Sequence, residues 1–326
     1  MPAMRRVLAT AFAMAASLAS YPASAQGLTE ISVSRVNLPG AITAIVDVLK
    51  SQGIDRKHGF NLEVKNFSTV AGLYAATASG EVDISAAGPW VLVRMRNEGA
   101  RIKGVFTFVG ISSLGVITAD PNLRTIEDLK GKTIAADMAS AEYLLLATYG
   151  KARGLQFGKD VTVVQASPPL ARAQLDAGRV DAAMSWETNA TLILQSNPKY
   201  RRMIGGETAW AGISKAKGGG WQLVLTMHEN AIKAHKDDIP RLMRMWQDAA
   251  SFMVTNTAEA EKVVEASVKL PPGVLKEALG SKRLVYQVLP VWEGEKAGLM
   301  ENFKLGVDQG FIKQMPDAGV LYDPKG

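Results

Sequence analysis

Residues 31–50, ISVSRVNLPGAITAIVDVLK, decide the fold. The first six, Ile31 to Val36, alternate apolar and polar side chains with the period of two that a half-buried strand requires. Asn37-Leu38-Pro39-Gly40 interrupts the pattern, and Ala41 to Lys50 resumes it at helical spacing. A strand, a tight turn and a helix in that order open an α/β architecture.

The same grammar runs outward through the chain. Strands are expected at Asn61–Lys65, Val82–Ser85, Ile102–Val109, Gly115–Thr118, Lys132–Ala136, Val161–Gln165, Val180–Met184 and Leu223–Thr226. Helices are expected at Val70–Ser79, near Ala139–Arg153 and at Pro169–Ala177, and the tail from Asp238 to Gln314 reads as nearly all helical. In that tail Met243, Met245 and Met253 fall at core-filling positions.

One internal echo organises these elements. Leu73 to Ala78, Gly80, Val82 and Asp83 match Leu170 to Leu175, Gly178, Val180 and Asp181. In each copy a helix stops at a glycine able to take the left-handed conformation, and a Val-Asp pair enters a short strand. Both strands then run into small residues and a tryptophan, Trp90 or Trp186, so two equivalent lobes are expected.

In parallel α/β sheets ligands sit beyond the carboxyl ends of the strands, where loops lead into helices. The candidate ligand-binding residues therefore lie on such loops: Asn37, Leu38 and Gly40; Ser68 and Thr69; Gly88 and Trp90; Ser140; Trp186 and Glu187. Ser112 and Trp221 join them, near the two places where the chain is expected to cross between lobes. The hydroxyls serve equally well as helix N-caps, and free N–H groups at helix starts favour an anion. Tryptophans, Trp210 among them, supply an apolar wall, and Glu187 an acceptor for an amine or hydroxyl.

The amino terminus carries an export signature. Arg5 and Arg6 precede an apolar run, Val7 to Ser20, and Ala23-Ser24-Ala25 is the small-residue pattern of a cleavage site, so residues 1–25 read as a signal peptide removed before Gln26. The whole chain has a formal net charge of +6, two units of which reside in Arg5 and Arg6. The remainder is scattered, which argues against a nucleic-acid-binding stripe. No cysteine is present, excluding disulfides, thiolate metal sites and an N-terminal lipid anchor. No metal and no cofactor are expected.

The segments RVNLPGAITAIVDVLKSQGIDRKHGFNLEV, ASGEVDISAAGPW, IEDLKGKTIAADMASAEYLLL and DAGRVDAAMSWET together resemble the solute-binding proteins of nitrate, sulfonate and taurine type ABC importers. The resemblance spans nearly the whole mature chain and implies a two-lobed periplasmic-binding-protein clamshell of type II. On this sequence residues 28–113 plus 223–326 would form lobe one and residues 114–222 lobe two, with crossings near Ser112–Gly115 and Gly220–Leu223. It implies delivery of a solute to an ABC permease and its ATPase, with no membrane insertion, by a monomer; relatives bind alkanesulfonates, taurine, nitrate, bicarbonate, aromatic acids or pyrimidine precursors, among which the aromatic loop residues favour a small organic anion, and the absence of cysteine favours free diffusion in the periplasm. Relatives of this fold also include pyrimidine synthases and lyases. The synthases rely on a Cys-rich segment that is missing here, and His58, His228 and His235 match no metalloprotease spacing, so a non-catalytic receptor is the expectation.

Overall fold

The computed structural model describes residues 27–215 and 220–325; the expected signal peptide lies outside them. The first half of the chain runs β1 (Thr29–Val36), α1 (Ala41–Ser51), α2 (Ile54–Lys57), β2 (Phe60–Phe67), α3 (Val70–Ser79), β3 (Ile84–Ala87), α4 (Pro89–Asn97) and β4 (Ile102–Gly110). It continues with β5 (Leu114–Thr118), β6 (Thr133–Ala136), α5 (Ala141–Ala152), β7 (Thr162–Gln165), α6 (Pro168–Asp176), β8 (Ala182–Trp186), α7 (Asn189–Ser196), β9 (Arg201–Gly205) and α8 (Gly206–Ala211). The remainder is β10 (Trp221–His228), α9 (Glu229–Ala234), α10 (Ile239–Thr255), α11 (Thr257–Val268), α12 (Val274–Gly280) and α13 (Lys296–Asp308).

Two five-stranded sheets result, ordered β2-β1-β3-β10-β4 and β7-β6-β8-β5-β9. In each, the fourth strand runs antiparallel to both neighbours and the other pairings are parallel. That antiparallel strand is the one entered directly from the other sheet: β5 follows β4, and β10 follows β9 and α8. The expected α/β class with two mainly parallel sheets is therefore what the chain adopts.

The sequence echo has a structural counterpart. β3 and β8 hold the same third position in their sheets. Asp83 accepts hydrogen bonds from the backbone N–H and hydroxyl of Ser32 on β1, at 2.8 and 2.7 Å, and Asp181 accepts from the backbone N–H of Thr133 on β6 at 2.8 Å. Each aspartate thus fixes the register of the neighbouring parallel strand, which a one-residue slip would turn inside out. Gly80 and Gly178 take the left-handed conformation, with φ of 78° and 64°.

The tail is mostly helical, as its pattern suggests, with one departure. α10 buries Leu242, Met245, Trp246, Ala249 and Met253 on one stripe, and Trp246 meets the ring of Phe108 edge-on at 5.5 Å. Met243 packs against the same core from a partly buried position. Between α12 and α13, however, residues 284–291 run extended along β4, with Gln287 N–H donating to Phe108 and Thr107 N–H donating to Leu289. β4 is the edge of its sheet, and an extended segment satisfies backbone groups that a helix would leave open.

Candidate functional site

The loops that sequence places at the carboxyl ends of the strands meet in pairs between the two sheets. Gly40, before α1, lies against the Trp186 indole: a Cβ placed on it would sit 3.2 Å from Nε1. Gly88, before α4, faces Ala141 at the start of α5, where a Cβ would come within 2.1 Å of the alanine methyl. Asn189 donates from its side chain to the Pro39 carbonyl across the same gap. Both glycines have extended backbone that any residue adopts, with φ of 174° at Gly40 and −66° at Gly88, so close approach rather than conformation accounts for the missing side chain.

These contacts enclose two neighbouring cavities. The first, about 510 Å³ including its mouth, is lined by Gly40, Ile42, Leu73, Tyr74, Trp186 and Leu223 among others. The second, about 370 Å³, is lined chiefly by Trp90, Ile111, Leu145, Trp210 and Trp221. Glu142 and Gln222 line both and mark the point where they adjoin. The walls of both are mainly apolar, as those of small-molecule sites are.

The polar centre is a relay. The Ser113 hydroxyl, between β4 and β5, donates to the side-chain carbonyl of Gln222 at the start of β10, and the Gln222 amide donates to Glu142 Oε1. The relay therefore joins both crossing segments to the first turn of α5, whose N-cap is Ser140. Burial pushes the Glu142 carboxyl above the usual carboxylate range, and the charge of Asp137 adds to the rise. Its own backbone N–H, Gln222 and Ser140 pull the other way without cancelling it. Burial, with the charges of Glu142 and Asp137, also raises the Tyr74 hydroxyl.

Of the residues expected at the site, Gly40, Ser140 and Trp186 line the first cavity, and Trp90 and Trp221 the second. Gly88 contributes the close approach to Ala141. The indole N–H groups of Trp90 and Trp221 already donate to the Asn302 carbonyl (2.8 Å) and to Glu295 (2.9 Å), so these rings offer apolar surface only. Asn37, Ser68 and Thr69 are exposed, Leu38 is half-buried, and none of the four lines either cavity; Thr69 caps α3 through Gly72 N–H at 3.0 Å. Ser112 donates to the carbonyls of Lys282 and Arg283.

Glu187 sits elsewhere than expected. It is 1 % exposed and accepts from Arg283 Nε at 2.8 Å and from the Thr191 hydroxyl at 2.7 Å, tying the tail to the start of α7. The histidines lie away from both cavities: His58 pairs with Asp248, His235 lies 3.7 Å from Asp238, and His228 caps α9. Glu142, Tyr74 and Gln222 were not anticipated. Among the described residues no His, Cys, Asp and Glu group could hold a metal ion, and no helix is long and apolar enough to cross a membrane.

Known proteins share this fold. The alkanesulfonate-binding protein SsuA from Xanthomonas axonopodis pv. citri, bound to MOPS, superposes with a TM-score of 0.75 at 20% identity, covering 91% of this chain and 99% of that one. The periplasmic aliphatic sulphonate binding protein SsuA of Escherichia coli gives 0.74 at 17% identity, over 90% and 92%. A ligand binding component of an ABC-type import system from Staphylococcus aureus gives 0.70 at 16% identity, over 91% and 97%. The fold is thus that of the periplasmic binding proteins. Binding proteins of Brucella abortus (strain 2308) and Brucella suis biovar 1 (strain 1330), whose names state no ligand, are 28% identical over 148 residues. The chain matches 44% of their length, and 44% of this chain is covered. The family described as NMT1/THI5 like matches residues 48–260, and the chain belongs to it.

Proposed function

We propose that this chain is the extracytoplasmic solute receptor of an ABC importer. Residues 28–113 plus 223–326 form one lobe and residues 114–222 the other; a small organic solute is captured between them and handed to a permease. The reading rests on one observation above all, the pair of cavities walled by loops from both sheets and sealed by the Gly40–Trp186 and Gly88–Ala141 approaches. A site assembled from two bodies couples ligand binding to their closure, since the ligand is bound fully only when both are in contact.

The export signature supports a periplasmic location, and the structural neighbours named for import systems support the permease as partner. The sulfonate names of two neighbours lend support to the organic anion expected from sequence, although the side chains of the cavities argue for a different head group. Native mass spectrometry of the protein purified from its own compartment is expected to reveal a bound small molecule. Small-angle scattering should show compaction when that molecule is restored to stripped protein. An unchanged scattering curve under a solute that binds would rule out the clamshell mechanism.

A further inference from the structure

The charge inside the cleft has one sign. Among the described residues lining either cavity none is lysine, arginine or histidine, and the one carboxylate, Glu142, faces both. Glu142 is 6 % exposed and Asp137, 8 % exposed, lies close enough for its charge to be felt there. The relay from Ser113 through Gln222 delivers its donors toward Glu142, so the carboxylate is the acceptor on which the network ends.

A sulfonate or carboxylate placed here would meet like charge at low dielectric, and the positive charge of Arg94, felt at Tyr74, comes from a side chain that lines neither cavity. A nitrogen head with N–H donors would form a charge-assisted hydrogen bond instead. The competing account makes Glu142 a plain strut between α5 and β10. A glutamine at 142 would accept the same bond from Gln222 without the cost of burying a carboxylate, so a strut does not explain the charge.

Resting on the receptor reading, we infer that the cleft is built for a solute with an apolar body and a hydrogen-bond-donating nitrogen head, an amine or amidine, that docks on Glu142. The walls suit such a body on either side of the head: Trp186, Tyr74 and Leu73 in one cavity, Trp90, Trp210 and Trp221 in the other.

The test uses four probes with one aromatic body and different heads: benzylamine, benzamidine, benzoate and benzenesulfonate. Calorimetric titration of the full-length mature protein, stripped of bound solute, should rank both nitrogen heads at least 10-fold tighter than both anions. Glu142→Gln should weaken the nitrogen heads at least 10-fold and tighten the anions, by removing the like charge they meet. The wild-type ranking decides the matter even if the variant folds poorly, and a ligand-free melt of the variant checks its folding. Tighter binding of the anions, or selectivity unaltered in a folded E142Q, overturns the inference while leaving a receptor in place. No response to any of the four overturns it too, and the receptor reading then stands or falls on whether native mass spectrometry finds a solute.

Discussion

At position 142 the protein keeps an ionisable group where burial opposes its charge. The sign of the consequence follows from linkage: a carboxyl whose folded pKa lies above its unfolded value contributes stability below the ordinary carboxylate range, and that contribution is lost as pH rises through the raised value. Glu142→Gln removes the loss and keeps an acceptor for Gln222. Thermal melts of ligand-free protein should therefore show E142Q about 2 °C or more above the wild type at neutral pH, with the gap closing on acidification. A gap that does not change with pH would mean that Glu142 is not the group responsible. Sequence hid this residue because a Glu two places after the Ser140 cap reads as an ordinary first-turn acid favoured by the helix dipole. Gly40, Ser140 and Trp186 were legible because βα loops carry sites in this class of fold. Gln222 left a fainter signal, a polar side chain at the entry to an apolar strand.

Elements were read well where pattern and burial agree, and poorly at edges. β9, Arg201–Gly205, escaped notice because it opens with two arginines and pairs on one side only, so no apolar period marks it. The run 284–291 lies within a tail that reads as nearly all helical, and unpaired backbone on β4 decides its conformation instead. The same stretch carries Arg283, whose guanidinium also donates to the Thr191 hydroxyl at 2.9 Å beside its bond to buried Glu187. Removing one partner of such a pair strands the other, whereas removing both does not. Arg283→Met should lower the unfolding free energy by about 3 kcal/mol, and E187Q combined with R283M should recover most of it. Urea denaturation of the two single variants and the double variant measures the coupling; additive losses would show that the tail is not held to α7 through this pair.

For the whole molecule, function depends on how closely two sheets can bring their loops together. Gly88 sets that limit: its backbone, with φ of −66°, is one any residue adopts, yet a Cβ there would lie 2.1 Å from that of Ala141. Ordinary contact between such carbons needs about 4 Å, so an alanine must hold the two bodies apart by roughly the difference. A Cβ would also stand 3.3 Å from the Gln222 carbonyl of the same sheet, a far milder approach, so most of the strain exists only when the bodies are closed and the substitution acts chiefly on the open–closed equilibrium rather than on folding. Binding, which draws on the closed population, weakens in proportion to the fraction lost. Gly88→Ala should therefore bind the native solute at least 10-fold more weakly, keep the melting temperature of the ligand-free protein, and retain a larger radius of gyration when saturated. Gly280→Ala, at a glycine with open space around its Cβ position, is the matched control and should behave as wild type. Full affinity in Gly88→Ala would mean that the bodies need not approach this closely to hold their ligand, and the coupling of capture to closure would fail with it.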